Sequence, residues 1–170
     1  MTSTTGRKTR RAGFTLLELI LVMVVICTVL AMAAPSLRGF FGSRKTADES
    51  ARILALIQYA RSQAITEGRV YRLNFDMDQG HYWLTAQDGS AFEKLKIEFG
   101  RVFAFPEGTT GQWDDQLDDA TKSYIEFHPT GRADAAVIRL TDRQGKAFDV
   151  QCLSPTERFR ILSPRQEENG

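Results

Sequence analysis

Glu18 is the only charge among the 21 residues 14–34. A carboxylate in hydrocarbon costs about 2.5 to 3.5 kcal/mol at mid-depth, less near the end of a segment, so its presence asks for a cation. A second group with chemistry is the alternating set Arg158, Arg160 and Arg165, which with Lys146 across an expected hairpin could meet phosphates. Glu157, Glu167 and Glu168 dilute that patch, and exposed charges on an edge strand also block aggregation. His81 and His128 have no Cys or acidic neighbour at ligand spacing. The run Asp76-Met77-Asp78-Gln79-Gly80 is too short for a calcium loop and lacks its distal Glu, so it reads as a turn. No G-x-S-x-G, phosphate-loop or H-E-x-x-H pattern is present, and the reading is that of a protein without enzymatic chemistry.

The elements that position Glu18 follow from hydropathy. The chain has 170 residues, 42% hydrophobic and 25% charged, the composition of a folding sequence of about one domain. Its 22 basic and 21 acidic residues nearly cancel, which argues against a dedicated nucleic-acid binder. Residues 1–13, however, hold Arg7, Lys8, Arg10 and Arg11 and no acid, so the remainder is net acidic. At about 1.5 Å per residue, a helix over residues 14–34 covers the roughly 30 Å of a bilayer core. Basic residues cluster before it, which predicts a single span with the N-terminus in the cytoplasm and everything after Pro35 outside. The competing reading is a secretory signal cut after Ala31-Met32-Ala33, releasing a soluble β-rich binding protein; Glu18 in the apolar region and Pro35 two residues past that cut count against it. Cys27 and Cys152 make no disulfide framework and read as small buried thiols.

Beyond Pro35 the helical pattern resumes. Ile53, Ile57, Ala60 and Ala64 form a stripe flanked by Leu54, Leu56 and Ile65, opposite Asp48, Arg52, Tyr59, Ser62, Gln63 and Thr66. Lys45 with Glu49 and Asp48 with Arg52 are i, i+4 pairs suited to a wet face, and Gly68 is a stop signal. Strands are predicted at 70–75, 81–86, 96–105, 124–128, 136–141, 147–152 and 158–162, with 109–122 left as a polar stretch. The expected fold is α+β: a long N-terminal helix, membrane half and amphipathic half with a kink at Pro35, packed on one antiparallel meander that forms the head. Its parts are 1–13, 14–35, 36–67 and 68–170.

The basic leader, Gly13, and Phe14-Thr15-Leu16-Leu17-Glu18 closely resemble the class III leader of type IV pilins and type II secretion pseudopilins, in which Gly precedes the cut, Phe follows it, Glu is fifth and Pro twenty-second in the mature chain. The segments 52–65 and Ile125-Glu126-Phe127-His128-Pro129-Thr130-Gly131 are similar to those of H-type minor pseudopilins and of minor pilins linked to DNA uptake. The resemblance implies a pilin-like fold and a minor pseudopilin of a type II secretion pseudopilus; the alternative it leaves is a minor pilin acting in pilus assembly or DNA uptake. It further implies cleavage by a prepilin peptidase between Gly13 and Phe14, N-methylation of Phe14, and pairing of Glu18 with the freed amine of a neighbouring subunit to set register. Partners would be other pseudopilins, through the N-terminal helix, and inner-membrane components of the machine, with the head periplasmic. Because some relatives bind calcium in a head loop, Asp114, Asp115, Asp118 and Asp119 become a calcium candidate; otherwise no cofactor is implied. Glu157 stands where the family often has Gly before the first C-terminal arginine, which weakens DNA contact through Arg158 and Arg160.

Overall fold

The computed structural model describes residues 15–113 and 123–163, with the side chains of 33–41 left out. The chain divides into two compact units, 1–38 and 39–170. Helix α1, Leu16–Glu67, is 52 residues long and Pro35 falls inside it.

In the first unit α1 is apolar on every side. Over residues 16–32 the one hydroxyl, Thr28 Oγ1, donates to the carbonyl of Val24 at 2.7 Å. Side chains such as Leu19, Val24 and Leu30 are exposed. Among the described residues no helix is long and apolar enough to cross a membrane. The described apolar stretch covers 16–32, and the sequence carries it on through Ala33 and Ala34.

In the second unit the same helix has one inward face. Ile53, Leu56, Ile57, Ala60 and Ala64 are buried, as the stripe predicts, and α1 ends where Gly68 takes φ +68°, a left-handed value that only glycine adopts without strain. The head has nine strands among the described residues: β1 Tyr71–Asp76, β2 His81–Asp88, β3 Ala91–Lys94, β4 Phe103–Ala104, β5 Thr110–Trp113, β6 Tyr124–Phe127, β7 Ala136–Thr141, β8 Ala147–Cys152 and β9 Arg160–Leu162. They form two antiparallel sheets rather than one meander: β3-β2-β1-β6, with β4 also on β2, and β5-β7-β8-β9. Alternation along a strand reports which face is apolar and not which strand lies alongside, so the β1–β6 pairing, Arg72 opposite Glu126, is invisible to it.

Two further expectations are corrected. The run 96–105 is no strand: it holds a short 3-10 turn at Glu98–Gly100 and then the two-residue β4. Part of the polar stretch 109–122 is β5, whose Gly111 is required because a Cβ there would stand 2.5 Å from the Phe105 ring. Asp76 Oδ1 accepts the Gln79 amide in the β1–β2 turn, closing the hairpin.

The core lies between α1 and the inner faces of both sheets: Leu73, Leu84 and Ile125 from one, Ile138, Leu140 and Val150 from the other. Rings join them at one end, where Phe75 meets Trp113 edge-on at 5.2 Å; within the first sheet Tyr82 stacks on Phe103 at 5.3 Å. Trp113 thus anchors β5 to the first sheet.

Candidate assembly site

Glu18 lies in the first turn of α1, and the local sequence explains why the helix begins there. Thr15 Oγ1 accepts the Glu18 amide at 3.2 Å while its carbonyl accepts the Leu19 amide at 3.2 Å, so Thr15 is the N-cap and Thr15-Leu16-Leu17-Glu18 has capping-box spacing. An acid at this position also faces the positive end of the helix dipole. The sequence reading missed this cap, although the S/T-x-x-E signature was there to be read. The contact uses the Glu18 backbone amide and not its carboxylate. Gly13 and Phe14 lie outside the described residues.

Among the described residues of the first unit nothing covers the apolar surface around Glu18. Ile20, Met23, Val24 and Cys27 all face outward. The expectation of a buried Cys27 is thus corrected, because nothing on a lone helix packs over that side; Cys152, on β8, is buried as expected. A helix apolar on every side is stable only where lipid or other chains surround it.

In the head, the inward face of α1 continues back from Ile53 through Ser50, Glu49, Thr46 and Ser43, and there it turns polar. Ser50, Glu49 and Thr46 are buried. The wet-face reading of Glu49 is corrected: only 2% exposed, it accepts from the Tyr82 hydroxyl at 2.5 Å and from Arg52 Nη1 at 2.7 Å, so Arg52 pairs with Glu49 rather than Asp48. Burial, and then the bond to Glu49, push the Tyr82 phenol far above its ordinary range, so it stays the donor. Thr46 meets the Thr109 hydroxyl at 2.8 Å, and Ser43 donates to Asp142 Oδ2 at 2.5 Å. Asp142 also accepts the amides of Gln144 and Lys146. Burial raises its pKa, but the Ser43 hydroxyl and these amides outweigh that and hold it below the usual carboxylate value. These three pins tie one end of the head helix to β2, to the approach to β5 and to the β7–β8 turn. Sequence analysis missed them because it scored only apolar residues on the stripe; the i, i+3, i+4 spacing of 43, 46, 49, 50 and 53 was the available signal.

Arg158 and Arg160 flank the buried Phe159 at the start of edge strand β9, both exposed. Lys146 does not stand across from them; Gln151 is opposite Arg160, and Lys146 lies over the Phe148 ring at 5.3 Å. Asp114, Asp115, Asp118 and Asp119 lie outside the described residues, as does Arg165. Among the described residues no three metal-binding side chains come together.

Residues 49–155 match the family model of the type II transport protein GspH, and residues 8–34 match that of the prokaryotic N-terminal methylation motif. The chain is 31% identical to the type II secretion system protein H of Aeromonas hydrophila over 95% of its length and 99% of that protein's. Its fold is similar to that of the minor pseudopilin EpsH from the type 2 secretion system of Vibrio cholerae (TM-score 0.61, 10% identity, 72% of this chain and 99% of that one). It is also similar to that of the type IV minor pilin FimU of Pseudomonas aeruginosa (TM-score 0.52, 15% identity, 74% and 92%). With the methylation motif on Glu18 and its helix, and the head matched through β8, the chain belongs to the GspH family of type II transport proteins.

Proposed function

We propose that this chain is a minor pseudopilin, a structural subunit of a type II secretion pseudopilus that works with other pseudopilins and has no active site of its own. The observation that carries the reading is the N-terminal half of α1: one carboxylate in a capped first turn, followed by exposed apolar side chains. In this reading a prepilin peptidase cuts between Gly13 and Phe14, Phe14 is N-methylated, and Thr15 becomes the second residue of a mature chain whose helix it already caps. The apolar helix holds the unassembled subunit in the inner membrane, N-terminus inward and head periplasmic, as a single span over 14–34. In the filament the helix leaves lipid for other helices, and Glu18 meets the terminal amine of a neighbour. A buried carboxylate that finds such a cation keeps its charge, while one that does not is strongly disfavoured, so the pair fixes axial register. Pro35, which lacks an amide hydrogen, is the bend point of the assembled helix.

Mass spectrometry of the chain extracted from membranes tests this. The expected N-terminus is N-methylated Phe14; an intact leader, or a chain beginning at Ala34, overturns the reading. Gly13→Leu should leave the uncut precursor in the membrane.

A further inference from the structure

On one flank of the head half of α1 lies an open groove of about 650 Å³, lined by Ile57, Ile65 and Phe159 with Arg61 and Arg158 beside them. Gly131 borders it without a side chain: its φ is +80°, and a Cβ there would stand 3.4 Å from Ile65 Cδ1, so a larger residue would narrow the groove. Arg61 is fixed in place, its Nε donating to the carbonyl of Gly131 and its Nη1 to that of Glu157, both at 2.7 Å. Among the described residues Nη2 has no partner. Carbonyls orient a guanidinium without neutralising it, and among the described residues neither arginine has a carboxylate partner.

We propose that this groove docks an exposed segment of a different pseudopilin in which one carboxylate stands between apolar side chains, the acid held between Arg61 and Arg158 and its apolar neighbours against Ile57, Ile65 and Phe159. Charge selects that occupant. Two guanidiniums at one apolar groove repel each other and any cationic segment, and an incoming carboxylate relieves both. A neutral segment of the same shape would cover both cations and leave them unpaired, which is costly, so the groove admits one kind of neighbour and rejects another. Arg61 is already held at two nitrogens, so little side-chain freedom remains to be lost when the acid arrives at Nη2. The groove follows α1, the element through which unlike subunits meet in the filament reading above, and the docking rests on that reading.

The test uses the full chain in membranes of cells carrying its own secretion machine, with a benzophenone amino acid in place of Ser62 or, as a second variant, of Ile65, both exposed members of the groove. The expected product is an adduct to a different pseudopilin that maps to a head peptide holding Asp or Glu. Arg158→Glu should lower its yield about fivefold, Arg158→Lys should leave it within about twofold, and changing the partner's mapped acid to Arg should restore it in the Arg158→Glu chain. Arg158 is exposed, so these changes leave the head folded, which urea unfolding checks. No adduct, an adduct to a second copy of this chain, to an exported protein or to a peptide without an acid, or a yield insensitive to Arg158→Glu overturns the proposal. Incorporation into sheared filaments is read in the same cells. Normal incorporation without the adduct removes only this contact; failure of the unaltered chain to incorporate removes the filament reading as well.

Discussion

The two halves of α1 use one kind of backbone for opposite ends. Over residues 16–32 apolar side chains point in every direction and all are exposed; over 43–64 one face is buried and the other carries charge. The polar groups differ in the same way. Among the described residues Glu18 is held through its backbone amide, on the Thr15 hydroxyl, whereas the Glu49 carboxylate is enclosed by Tyr82 and Arg52. What this teaches is where each half finds its stabilisation: the head half within its own chain, the N-terminal half in lipid or in other chains.

The sharpest way to break that comparison is Glu18. If its work lies between chains, Glu18→Ala is processed normally but incorporates into filaments at least about tenfold less, since an uncompensated charge among apolar helices costs several kcal/mol. Glu18→Gln separates this from capping: glutamine serves a capping box but cannot pair with an amine, so it should fail as Ala does. Normal incorporation of the Gln variant, by immunoblot of sheared filaments, would refute a pairing of the Glu18 charge with an amine.

Next in size is Ile57→Ala. Ile57 is 1% exposed in the core, and the cavity should cost about 3 kcal/mol in urea unfolding of the full chain in detergent. Tyr82→Phe follows at about 2 kcal/mol, because Glu49 stays buried with one oxygen unmet. Combining Tyr82→Phe with Glu49→Leu removes both partners and should cost less than Tyr82→Phe alone; a larger loss would mean the pair stabilises outright.

Asp142 gives a smaller effect with a defined pH dependence. Its folded pKa lies below the ordinary 3.8, so the unfolded chain takes up protons first; the stabilisation is complete above about pH 4 and is lost as pH falls through the folded value. Asp142→Asn should cost about 1 kcal/mol at pH 7, with the difference from the unaltered chain shrinking below pH 4. A gap constant down to pH 2 would contradict the Ser43 and turn-amide contacts as its source.

How much of this was legible in the sequence follows the range of each interaction. The apolar run with Glu18, the stripe 53-57-60-64 and the alternation of β1, β2, β6, β7 and β8 are local, and hydropathy reports them directly. Partition into two sheets depends on pairings such as Arg72 with Glu126, 54 residues apart, which no local pattern encodes. Thr110-Gly111-Gln112-Trp113 did not read as a strand because its glycine is dictated by the Phe105 ring, a contact from outside the segment. Glu49 read as solvated for the same reason: its partner Tyr82 is 33 residues away.

The smallest effect is the most direct measure of the contrast between the halves. Val24→Ala removes two methyl groups from a side chain that is 56% exposed on the first unit. An exposed side chain leaves no cavity behind, and urea unfolding of the head should move by less than about 0.5 kcal/mol. Truncating a fully buried residue on the same helix, as in Ile57→Ala, moves it several times more. If the filament reading holds, the order changes there, because Val24 would then lie among other helices. A weaker filament from Val24→Ala at unchanged head stability therefore marks the N-terminal half as the surface between chains. A destabilised head would show instead that the two halves support one another within the single chain.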